Sequence, residues 1–169
     1  MFDTTDIEVI GVVFDLGHQH GSNGLKNIDN VKKHLIDFVR RNLDEDDMFY
    51  VYKPDIIEPT NRIGANVASI SNYRTDGWKF DVRLALQQTL YIVASEPCER
   101  KTVVLITDRL SDADVLKSIN KLNQKDDLRC NLICIDIGEH LSNIVGVEIT
   151  HVEDSANLEG VFEEAIYAS

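Results

Sequence analysis

At 169 residues the chain has room for one domain with a sizeable core, but not comfortably for two. Its 43% hydrophobic and 27% charged content argues against disorder, and no apolar run is long enough to span a bilayer. With 29 acidic against 17 basic residues the formal charge is −12, and the basic doublets Lys32-Lys33, Arg40-Arg41 and Arg100-Lys101 are short, so neither a nucleic acid nor a membrane is an expected partner.

Residues Met1 to Asp6 are polar and acidic and lack the basic start and apolar middle of a secretory signal, which sets a cytoplasmic expectation. Cys98, Cys130 and Cys134 are too few for a disulfide framework and have no metal-finger spacing. The last two lie in an apolar run and read as small core residues.

Along the chain, short apolar runs alternate with helical periods. Glu8 to Asp15 (EVIGVVFD) has the continuous apolar character of a strand buried on both faces. A glycine-rich polar loop, Gly17 to Gly24, follows. Ile28, Val31, Leu35, Val39 and Leu43 then recur at helical spacing and predict the first helix, ended by the acidic turn Asp44 to Asp47. Met48 to Lys53 predicts a second strand and Pro54 to Gly64 a loop. Ala65 to Asn72 alternates loosely and predicts a short third strand at the sheet edge.

Asp81 to Ser95 predicts a helix with Val82, Leu86, Leu90 and Val93 on one face. Lys101 to Asp108 (KTVVLITD) repeats the buried-strand pattern. Ser111 and Asp114 then give a capping signal, and Val115, Ile119 and Leu122 mark the next helix. Asn131 to Gly138 and Glu148 to Val152 predict two more strands, and Leu158, Val161, Phe162 and Ala165 a final helix. Together these predict one doubly wound α/β domain over 1–169, with a mostly parallel six-stranded sheet, one antiparallel edge strand and helices on both faces.

Ligands of such sheets bind beyond the carboxyl ends of the strands, where the strand order reverses. Two of the buried strands end in carboxylates there, Asp15 and Asp108, and Thr75 in the turn Tyr73-Arg74-Thr75-Asp76-Gly77 offers a third oxygen. Hard oxygen donors of this kind suit Mg²⁺ or Mn²⁺. The same carboxylates equally suit an ordinary role, accepting hydrogen bonds from loop and helix-start amides.

The order of elements and the positions of Asp15, Thr75 and Asp108 resemble the von Willebrand factor A domain, over essentially the whole chain. In that family the first strand ends in Asp-x-Ser-x-Ser, a threonine enters before the second major helix, and an aspartate follows the fourth strand. The resemblance implies a metal-ion-dependent adhesion site, where a partner's carboxylate completes the coordination of the metal. Here the first motif is Phe14-Asp15-Leu16-Gly17-His18-Gln19, the second Arg74-Thr75-Asp76-Gly77 and the third Ile106-Thr107-Asp108. Gly17 and Gln19 stand where the family places serines. The remaining Asp15, Thr75 and Asp108 would hold Mg²⁺ or Mn²⁺ weakly, with more water, or hold none.

The expected function is therefore that of a protein-binding, non-enzymatic module, serving a bacterial cell, a virus particle or a regulatory complex. The candidate partner-binding residues are Gly17, His18, Gln19, His20 and Trp78 in the loops at the carboxyl edge. Two loop histidines are a weak zinc signal, and Trp78 also reads as an anchor for the following helix. The spacing of Gly17, Gly21 and Gly24 matches neither a dinucleotide fingerprint nor a phosphate-cradling P-loop. The alternative is a small magnesium-dependent hydrolase or phosphoryl-transfer enzyme using Asp15. Phosphatases that place an aspartate at the end of the first strand need a second one two residues later, where this chain has Gly17.

Overall fold

The computed structural model describes residues 7–17, 22–74, 80–109, 113–138 and 147–168. The continuous apolar runs become strands covered on both sides. β1 (Glu8–Asp15) is buried at every position, as are the last six positions of β3 (Arg100–Thr107) and of β4 (Asn131–Ile137). With β2 (Met48–Val51) and β5 (Glu148–Val152) they form a five-stranded sheet in the order β2-β1-β3-β4-β5, every pair parallel. The order reverses at β1, so the crevice for a ligand lies between the carboxyl ends of β1 and β3.

Two apolar layers sandwich the sheet. On one face Ile10, Val12, Phe14, Val104, Ile106, Ile133 and Ile135 pack with Val31, Leu35, Phe38 and Val39 of α1 (Ser22–Asn42) and Phe162 and Ile166 near the chain end. On the other, Val9, Val13, Val103, Leu105, Leu132 and Cys134 meet Ala85, Leu86, Leu90, Val93, Leu116 and Ile119. All three cysteines are buried and free. Burial pushes the Cys130 thiol up to about 11 and Cys134 further in the same direction, as expected of core thiols.

The expected six-stranded sheet with an antiparallel edge strand is not what forms. Among the described residues there are five strands, and the segment read as the third strand is α2 (Ile63–Ser71). The loose alternation of Ala65 to Asn72 carries no apolar face of period two. Its buried residues are Asn66 and Ile70, four apart, a helical stripe set against α1 and β2. Among the described residues antiparallel pairing survives only as isolated bridges, Lys53 with Ile56 and Phe49 with Thr60, the latter pair exchanging both backbone hydrogen bonds at 3.0 Å before the chain turns into α2.

The other helices fall where their periodicity places them. α3 (Val82–Ala94) begins at Asp81, whose carboxylate accepts the Leu84 N–H at 3.1 Å. α4 (Ala113–Lys125) and α5 (Val161–Tyr167) complete the order, the latter preceded by a 3₁₀ turn, Ser155–Asn157. Helix α3 lies close on β1 because Gly11 leaves room for it. A Cβ there would stand 2.7 Å from both Thr89 Cγ2 and Val93 Cγ2.

Candidate functional site at the carboxyl edge of the sheet

Parallel register brings the ends of β1 and β3 level. Asp15 is the partner of Thr107, and the Asp108 N–H donates to the Asp15 carbonyl at 3.2 Å. Both aspartates are buried, at 3% and 1% exposure, so each carboxylate requires hydrogen-bonding or charged partners. The structure supplies these from different directions.

Asp15 Oδ2 accepts the Thr107 hydroxyl at 3.0 Å and Arg109 Nε at 3.2 Å. Thr107 Oγ1 in turn accepts the Arg109 backbone N–H at 3.0 Å. Arg109 is thus held by backbone and side chain, and its guanidinium forms an ion pair with Asp15. Asp108 Oδ2 accepts the Gly17 N–H at 2.9 Å and, at a long 3.5 Å, the Asn27 side-chain amide of α1. Gly17 has φ of +92°, a conformation that a serine would adopt only with strain. Where the family resemblance implies a serine hydroxyl, this chain presents a left-handed turn and a backbone amide.

The polar row continues across the sheet. Thr107 is the register partner of Asp136 on β4, and Asp136 of His151 on β5. Asp136 is fully buried, and its Oδ2 lies 3.0 Å from His151 Nδ1. Asp15, Thr107, Asp136 and His151 therefore line one row at the carboxyl ends of four adjacent strands, on the face carrying α3 and α4. Of these only Asp15 was singled out as a site residue by the sequence reading. Arg109 and Asn27 were also missed. Asp136 had a legible signal, an acidic residue inside the apolar run NLICIDIG.

Beside this row a pocket of about 390 Å³ opens near the ends of β1 and β2. Phe14, Tyr52, Tyr73 and Phe80 give it aromatic walls, and Lys53, Asp55, Arg74 and Asp81 contribute charges. Phe14 and Tyr73 rings stand 4.6 Å apart, and Tyr52 meets Phe80 edge-on at 6.3 Å. The Tyr73 hydroxyl accepts the Leu16 N–H at 3.3 Å, which fixes this wall to the end of β1.

Of the expected site residues, Asp15, Gly17 and Asp108 are brought together. Thr75, His18, Gln19, His20 and Trp78 lie outside the described residues. Two oxygens of this donor set are already engaged. Mg²⁺ needs carboxylate oxygens with lone pairs to spare at close range, yet Asp15 Oδ2 already serves a hydroxyl and a guanidinium, and Asp108 Oδ2 an amide N–H and a side-chain amide. Among the described residues no three carboxylate, imidazole or thiol groups converge as metal ligands.

No family model and no curated protein matches the chain. Solved structures do. It is similar to a von Willebrand factor type A protein from Catenulispora acidiphila, with a TM-score of 0.71 and 14% identity over 95% of this chain and 42% of that one. It is similar to the PilB minor pilin from Streptococcus sanguinis, with a TM-score of 0.63 and 12% identity over 94% of this chain and 60% of the pilin. It is also similar to the conserved hypothetical protein BatB from Bacteroides thetaiotaomicron, with a TM-score of 0.62 and 11% identity over 96% of this chain and 98% of that one. The chain spans less than two thirds of the first two. Among the described residues no helix is long and apolar enough to cross a membrane. At these identities the likeness is one of fold, and the fold is that of a von Willebrand factor A domain.

Proposed function

We propose that residues 1–169 form one protein-interaction module that docks a partner protein through the loops at the carboxyl edge of the sheet. The observation that carries this reading is the aromatic pocket beside the strand-order reversal. Rigid aromatic walls with an arginine at hand are the composition of interface hot spots, and this pocket opens at the edge where doubly wound sheets bind ligands. The sequence adds Gly17, His18, Gln19, His20 and Trp78 to the same set of loops. The formal charge of −12 favours a partner with basic surface.

The hydrolase reading has less support. An aspartate nucleophile must be reachable, whereas Asp15 is 3% exposed and its Oδ2 is engaged by Thr107 and Arg109. Affinity capture from the source cell should recover a protein that is lost with Tyr52→Ala/Phe80→Ala, and retained with Arg129→Ala at the opposite edge. Circular dichroism would confirm that both variants fold. Equal capture by all three chains would refute the docking edge, and metal-dependent turnover of a phosphate ester abolished by Asp15→Asn would restore the enzyme reading.

A further inference from the structure

We propose that the guanidinium of Arg109 is the resident cation of this crevice, standing where the family resemblance implies a divalent metal ion. The inference does not depend on the docking proposal, because it concerns the charge balance of the unliganded domain.

Asp15 is almost fully buried at the end of β1, and a buried carboxylate stays ionised only where an opposite charge or hydrogen-bond donors compensate it. Arg109 supplies that charge within hydrogen-bond distance, 3.2 Å from Nε to Oδ2, with its own side chain only 19% exposed. Three hydrogen bonds close into a ring. Arg109 Nε donates to Asp15 Oδ2, the Thr107 hydroxyl donates to the same oxygen, and the Arg109 N–H donates back to Thr107 Oγ1. Because Arg109 lies just two residues beyond Thr107, the end of β3 sets the guanidinium against β1.

A divalent ion seated on the same oxygen would meet a full positive charge at short range. It would also compete with donors already in place. Asp108 gives it little help, since its Oδ2 is turned to Gly17 and Asn27. The missing serine hydroxyls therefore have a counterpart elsewhere in the chain: a site without its metal ligands carries its own cation, and the domain needs no divalent ion for stability.

The test uses Mn²⁺ alone as the probe, in paramagnetic-resonance titrations and in thermal melts with chelator or millimolar Mn²⁺. It compares the wild type, Asp15→Asn, Arg109→Met and the double variant. Wild type and Asp15→Asn should show the same weak Mn²⁺ profile, which then belongs to the acidic surface. Arg109→Met should melt about 5 °C lower or more, and the double variant should recover over half of that loss. A Mn²⁺ ion bound by the wild type and lost in Asp15→Asn would overturn the proposal. So would losses that add in the double variant. Should Arg109→Met not fold, folding of the double variant supports the charge pairing, and its failure to fold refutes it.

Discussion

Replacing Gly11 by alanine adds one methyl group at the tightest point between helix and sheet. The new Cβ would lie 2.7 Å from Thr89 Cγ2 and from Val93 Cγ2, roughly 1 Å inside the ~3.5–4.0 Å at which carbon atoms rest. Neither neighbour yields easily. Both are fully buried β-branched residues on α3, and the Thr89 hydroxyl is tied to the Ala85 carbonyl at 2.7 Å. The helix must lift instead, loosening Leu86, Leu90 and Val93 from β1 and β3.

Such overpacking costs about 1–3 kcal/mol. An opposing gain of roughly 0.5–1 kcal/mol comes from restricting the unfolded chain, since Gly11 is not among the positive-φ residues and alanine is conformationally acceptable there. The net expectation is a loss of about 1–2 kcal/mol, a fall in Tm of roughly 2–8 °C for a chain of this size. Urea unfolding would measure it. Gly11→Ala/Val93→Ala should lose less than the sum of the two single variants, because the second change makes room for the first. Full additivity, or a Gly11→Ala variant as stable as wild type, would refute the steric account.

Asn123 closes the turn from α4 into β4 by binding Cys130 twice, donating to its carbonyl at 2.6 Å and accepting its N–H at 3.1 Å. Asn123→Ala leaves both buried backbone groups unpaired and should cost about 2–4 kcal/mol in urea unfolding. Asn123→Asp, which keeps an acceptor for the N–H but sets a buried carboxylate oxygen against the Cys130 carbonyl, should cost no less at neutral pH. At the amino edge, burial raises the Glu8 carboxyl above its usual range despite the Tyr167 hydroxyl and Arg100 beside it. The folded chain holds that proton more tightly than the unfolded one, so the contribution of Glu8 is fully present below its ordinary value of 4.5 and is lost as pH rises through the raised one. Glu8→Gln should therefore melt higher than wild type near neutral pH, and the difference should vanish at about pH 4.

How far the sequence reveals this molecule depends on how locally each feature is encoded. β1, β3, β4, α1 and α3 are legible because uninterrupted apolar runs and a clean helical period each admit one reading. The segment 65–72 is not, since its short polar-rich pattern is settled by contact of Asn66 and Ile70 with α1 and β2 rather than by its own period. The positions of Asp15 and Asp108 follow from strands that end in carboxylates. Their partners do not: Arg109 adjoins a recognised motif without belonging to it, and pairing Asp136 with His151 requires the register of β4 on β5.

The polar row at the strand ends also acts as an alignment key for the folding sheet. Parallel strands made of near-continuous Val, Ile and Leu carry little information about which residue should face which, since both sides of each strand are apolar. Slipping β4 by one residue against β3 would carry Asp136 into the layer of Ile106 and Phe162, stranding a carboxylate in hydrocarbon and separating it from His151. The same residues that shape the crevice thus mark the correct pairing, penalising an otherwise nearly degenerate misalignment.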